Sequence, residues 1–109
     1  MSDIGDLSRL INNDALRSSV RILILISLAI NEKMYFTDIL NLTGIGRGSL
    51  SNHLDILIHS GYIKDKTVFT LSGPRRMLEI TDKGKIFYNN YIKIINEIGL
   101  NPRKKINDE

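Results

Sequence analysis

The stretch Thr43–Leu54 reads TGIGRGSLSNHL, with glycine at 44, 46 and 48 followed by a helically patterned apolar segment. Glycines ahead of a helix suit either a phosphate cradle or a tight turn between two helices. A P-loop needs Gly-Lys-Ser/Thr after four intervening residues, with a buried strand in front. This loop has no lysine, and the segment before it, DILNLT at 38–43, has a helical pattern. No βαβ unit surrounds it, which removes the dinucleotide fingerprint as well. The glycines therefore read as a turn. Gly44 permits positive φ after LNLT, Ile45 points back between the two helices, and Gly46 stands at the next N-cap.

In the segment that follows, Leu50, Leu54, Leu57 and Ile58 recur at i, i+4, i+7 and i+8, one face of a helix over about 47–60. Gly61 suits the residue just past its end. The opposite face presents Gly48, Ser49, Asn52, Ile56 and His59. Such a face suits a DNA major groove. Asn bonds an adenine edge, Ser reaches a base or phosphate, glycine lets the backbone approach closely, and Arg47 reaches a phosphate. An ordinary solvated helix face has the same composition, and this segment alone does not choose between the two.

Upstream, residues 3–11 form a short amphipathic pattern with Ile4, Leu7, Leu10 and Ile11 on one side. Asn13 or Asp14 is the expected N-cap of the next helix, which runs to about Ile30 and is apolar enough to be buried on most sides. Tyr35 and Phe36 supply a very short strand, with Thr37 capping the helix that carries Ile39, Leu40 and Leu42. Downstream, YIKDKTVFTL reads as a strand, SGPRR as a turn and MLEIT as a second strand. This reading puts Arg75 and Arg76 on a projecting tip, with Lys64 and Lys66 at the strand start. Paired arginines on a tip suit phosphates or a narrow minor groove, although exposed arginines are also common without a ligand. Thr81 caps a final helix whose apolar stripe is Ile86, Phe87, Tyr91, Ile94, Ile95 and Ile98.

At this point the sequence resembles a family. The run Leu-Ser-x-His-Leu at 50–54, GYI at 61–63, Gly-Pro-Arg at 73–75 and Ile-Thr-x-x-Gly at 80–84 are similar to the winged helix–turn–helix domains of small prokaryotic MarR-like and ArsR-like regulators. The similarity covers about residues 15–90. It implies a mainly α fold with a small β wing, in which the helix at 47–60 reads double-stranded DNA and the wing at about 67–80 touches adjacent backbone or minor groove. Carried over to this sequence, the expected DNA-binding residues are Arg47, Gly48, Ser49, Ser51, Asn52, His53, Lys64, Lys66, Arg75 and Arg76. Two departures leave the sequence preference open: Gly46 stands where Ser or Thr often caps, and Arg47 where an acidic or polar residue is frequent.

The bulk properties fit. The chain has 109 residues, a net charge of +3 and a pI near 9.3, mildly basic and compatible with nucleic acid. It has no cysteine, which removes thiol catalysis, disulfides and thiolate metal sites. Ser51, His53 and Asp55 mimic a triad by name only, since residues two apart on a helix diverge by about 200°. His53 and His59 are six apart and make no metal pair. No catalysis, metal or cofactor is expected. The apolar run Val20–Ile30 is interrupted by Arg21 and falls short of the ~20 residues of a membrane span. The N-terminus lacks the pattern of a signal peptide, so a cytoplasmic location is expected.

The organisation expected is one domain over 1–100 and a polar, disordered tail over 101–109. The final stripe either covers the domain's own core or builds a homodimer. Its apolar surplus favours an interface made by Leu7, Leu10, Phe87, Tyr91, Ile94, Ile95 and Ile98. The competing function is a winged-helix protein–protein module without specific DNA binding, because fold alone does not fix function.

Overall fold

The computed structural model describes residues 3–100; the expected tail at 101–109 lies outside the described residues. The elements are α1 (Ile4–Ile11), a 3-10 turn (Asp14–Leu16), α2 (Ser19–Asn31), β1 (Lys33–Tyr35), α3 (Phe36–Thr43), α4 (Arg47–His59), β2 (Ile63–Thr70), β3 (Gly73–Ile80) and α5 (Asp82–Leu100). The strands form one antiparallel sheet in the order β1-β3-β2. The fold is mainly α with a small β hairpin, as the sequence predicts.

The core is built by the periodicities that the sequence displays. Leu50, Leu54 and Leu57 of α4 are fully buried against Ile24, Leu25 and Leu28 of α2, Ile39 of α3 and Leu78 of β3. Gly44 ends α3 at φ +69°, and Ile45 packs half-buried against the core. Gly46 caps α4 without a side-chain hydrogen bond, as glycine must. At the far end of α4, Gly61 takes φ +83° and turns the chain into β2, burying Tyr62 and Ile63.

Several local expectations are corrected. Asn13 caps the 3-10 turn, its side chain accepting the Leu16 N–H at 3.1 Å, whereas α2 starts five residues later under Ser18. Nor is α2 buried on most sides: Leu23 and Ile30 are exposed, Ile30 by 66%. The strand β1 ends at Tyr35 and Phe36 opens α3, so Thr37 lies inside that helix. The cap comes from Asp38, whose carboxylate accepts the Tyr35 N–H at 3.2 Å.

The hairpin turn is also shifted. It is not SGPRR but the two residues Leu71 and Ser72, closed by Thr70, whose hydroxyl donates to the Gly73 carbonyl at 2.8 Å. Pro74 lies within β3 opposite Phe69, outside the segment Met77–Glu79 that pairs with β1, so its missing N–H breaks no β1 bond. Arg75 and Arg76 are therefore strand residues and do not stand on the tip.

Candidate nucleic-acid interface

The outward face of α4 lies open to solvent. Arg47, Gly48, Ser49, Asn52, Ile56 and His59 are exposed, while Ser51 and His53 are half-buried at its flank. His59 is turned inward to its own helix, its Nδ1 donating to the Asp55 carbonyl at 2.7 Å. A Cβ at Gly48 would meet nothing within 4 Å, so packing does not demand glycine there.

His53 has a partner in the fold. The Arg21 guanidinium lies 2.8 Å from its Nδ1 and also donates to the backbone carbonyls of Ala15 (2.7 Å) and Asp14 (2.9 Å). Arginine only donates, so Nδ1 accepts and the proton of the neutral ring sits on Nε2. Burial, and then the Arg21 charge, hold the His53 pKa below its usual value. This side chain ties α4 to the start of α2.

Three aromatic contacts link the start of α3 to the start of α4 and to the hairpin. Phe36 lies under two guanidinium groups, with Arg47 Cζ 5.8 Å and Arg76 Cζ 5.6 Å from its ring centre. Arg75 Cζ sits 3.8 Å over Tyr35, and its Nη2 donates to Thr37 Oγ1 at 2.9 Å. Contacts of this kind hold an arginine in place without neutralising it. Arg76 is also paired with Asp65 at 3.0 Å, and Lys66 lies 3.6 Å from Glu79. Lys64 is exposed and faces Glu79 across the ladder. Arg75 thus carries the least compensated charge of the hairpin arginines. Tyr35, Phe36 and Thr37 escape the sequence reading because their partners lie far away in the chain; the only local signal is an adjacent aromatic pair at a helix start.

The motif residues at 61–63 and 80–84 turn out to be a joint. Thr81 Oγ1 lies 2.6 Å from the Gly61 carbonyl and 2.9 Å from that of Tyr62, and it accepts the Gly84 N–H at 3.2 Å. Gly84 is buried, and a Cβ there would meet the Tyr62 carbonyl oxygen at 2.4 Å.

Residues 20–98 match the model of the winged helix DNA-binding domain family. The chain belongs to that family. Among solved structures it is similar to a transcriptional regulator homologue from Pyrococcus horikoshii OT3, at 26% identity, TM-score 0.75, and coverage of 90% of this chain and 99% of that one. A MarR family regulator from Enterococcus faecalis V583 superposes with TM-score 0.71 at 17% identity, covering 94% and 87% of the two chains. An ArsR family regulator does so with TM-score 0.54 at 16% identity, covering 93% and 98%. No curated protein sequence matches the chain significantly. The β2–β3 hairpin is the wing of this fold, and α3 and α4 are the two helices joined by its turn.

The residues expected at a dimer interface divide. Phe87 and Ile94 are buried within the single chain, Phe87 among the core side chains and Ile94 where α1 packs on α5. Both stabilise the fold of the single chain. Leu7, Leu10, Tyr91 and Ile98 are half-buried, with Leu10 and Tyr91 packed against the core, and Ile95 is exposed. No described helix is long and apolar enough to cross a membrane.

Proposed function

We propose that the chain is a sequence-specific double-stranded DNA-binding transcriptional regulator, with α4 in the major groove and the wing on the neighbouring backbone and minor groove. The observation that carries this reading is the outward face of α4, where Gly48, Ser49 and Asn52 serve no internal contact and Arg47 shares the Phe36 ring with Arg76 of the wing. In this reading Asn52 bonds a base edge, Ser49 a base or phosphate, and Arg47 and Arg75 phosphates. Binding to duplex libraries at stepped salt tests it. Affinity should fall steeply with salt as phosphate counterions are released; binding that ignores salt rejects it. On a selected site, Asn52→Ala should cost about 1–3 kcal/mol and relax preference at one base pair, while Arg47→Ala weakens all sequences evenly.

The reading includes a homodimer. Helix α5 carries a stripe beyond the one its own core uses: Gly84, Phe87, Tyr91, Ile94 and Ile98 face inward, and Tyr88, Ile92, Ile95 and Gly99 repeat beside them at spacings of four, three and four. Symmetric pairing of this second stripe would hide it and present two α4 helices about one turn of B-DNA (~34 Å) apart. Ile95→Glu should weaken the dimer by roughly ten- to a hundredfold, the worth of one buried isoleucine, and leave the circular dichroism unchanged. A wild-type chain that sediments as a monomer at micromolar concentration overturns the pairing.

A further inference from the structure

The wing ends in an uncharged tip. From Thr67 to Pro74 the sequence is TVFTLSGP, with no ionisable side chain, although the base of the same hairpin carries Lys64, Asp65, Lys66, Arg75, Arg76 and Glu79. Phe69 is 81% exposed, Leu71 is fully exposed and Pro74 lies open beside them. Nothing in the fold requires large apolar groups there. Exposed hairpin ends normally carry polar or charged residues, which keep their edges from sticking.

Register fixes where this tip looks. Thr67 pairs with Arg76 and Phe69 with Pro74, and strand side chains alternate with period two. Phe69 therefore projects from the same sheet face as Asp65 and Arg76, the face on which Arg76 meets Phe36 and, through it, Arg47 at the start of α4. It stands about 7 Å further out along the strand than Thr67. A duplex seated on α4 and held by Arg47 would meet the apolar tip next. A tip without charge gains nothing from phosphates. It gains from the floor of a groove, where an apolar side chain can enter a base step.

We propose that Phe69, supported by Leu71, is a minor-groove wedge that partly unstacks a base step and bends the DNA. The inference rests on the DNA-binding reading above and adds to it a deformation of the duplex by an apolar side chain. Proteins that insert such wedges kink duplexes by roughly 20–90° toward the major groove. Base-step flexibility beneath the wing, highest at pyrimidine–purine steps, would then contribute to site preference without hydrogen bonds to the bases.

The experiment uses a duplex selected by the full chain, labelled at both ends for energy transfer and carrying 2-aminopurine at the base steps flanking the α4 footprint. Wild-type protein should shorten the end-to-end distance and brighten the 2-aminopurine at one step. Phe69→Ala with Leu71→Ala should keep the fold, bind roughly tenfold more weakly and leave the DNA straight and dark, since the energy of an inserted wedge is lost. Phe69→Trp should retain the bend. A double variant that binds and bends as wild type does overturns the wedge while leaving the DNA-binding reading intact. A double variant that loses affinity because it has become monomeric also overturns it, since the tip then joins two copies. Failure of the wild-type chain to bind any duplex removes both proposals together.

Discussion

Two neighbouring helices each carry a glycine in the first turn, Gly48 in α4 and Gly84 in α5, and the reasons differ. At Gly84 the helix begins against the Tyr62 carbonyl, and a Cβ would sit 2.4 Å from its oxygen and 2.7 Å from an Ile80 side-chain carbon. At Gly48 a Cβ would meet nothing within 4 Å, and the backbone φ is not positive. Glycine is a poor helix former, about 1 kcal/mol worse than alanine. Gly84 offsets that cost by letting β3 and α5 close on the end of α4. Gly48 has no such return inside the chain, which directs attention to what lies outside it. The family-like runs at 61–63 and 80–84 mark the joint, whereas the α4 residues proposed to meet DNA are those that folding leaves unexplained.

The largest effect expected from this contrast is at the joint. Gly84→Ala gains helix propensity but forces the Tyr62 carbonyl or the Ile80 side chain to move. Overpacking of this kind should leave a net loss of about 1–3 kcal/mol in urea unfolding. A variant as stable as wild type would mean that the joint yields, and the contrast between the two glycines would collapse.

Gly48→Ala should have the opposite sign. With open space and an ordinary φ, alanine should raise stability by up to about 1 kcal/mol. The same variant should bind a selected duplex severalfold more weakly, because the added methyl stands between the α4 backbone and the groove. Gel shift and thermal unfolding on one preparation separate the two outcomes. If stability rises and binding is unchanged, close backbone approach at residue 48 is wrong even though the fold argument holds.

The contrast also explains what the sequence makes legible. Leu50, Leu54 and Leu57 declare their buried face through spacing alone, and Gly44 and Gly61 declare their turns through backbone freedom; both signals are local. The wing misleads because Gly73 and Pro74 are strong turn residues that here lie in β3, while the turn falls on Leu71, a weak turn residue, and Ser72. A tip at SGPRR puts Arg75 and Arg76 where Phe69 and Leu71 project. The Phe36 contacts join residues from three separate segments, and no pattern along the chain encodes them. In α5 the inner stripe and the one beside it merge in sequence into a single apolar helix, so Phe87 and Ile94 cannot be told from Ile95 until α1 and the core are in place.

The smallest expected effect concerns a polar residue of α4 that folding does use. The sequence groups His53 with the DNA-facing residues, yet its Nδ1 accepts from Arg21, and burial followed by the Arg21 charge depresses its pKa. The sign of the pH dependence follows. The unfolded chain takes up the proton near the ordinary histidine value of about 6.5, whereas the folded chain resists until lower pH. The stabilisation is fully present above about 6.5 and is lost as pH falls through the folded value. His53→Gln keeps an acceptor for Arg21 and removes the titration. Thermal unfolding of both proteins from pH 7.5 to 5 should therefore show wild type losing stability faster than the variant, by a fraction of the Gly84→Ala effect. At pH 7.5 the two should bind duplex DNA alike, because the glutamine preserves the tether of α4 to Arg21. Equal pH slopes would show that burial and Arg21 together do not hold the ring neutral. A selective loss of duplex affinity at pH 7.5 with stability unchanged would return His53 to the DNA-facing side of α4, where the contrast between folding residues and contact residues would have to be redrawn.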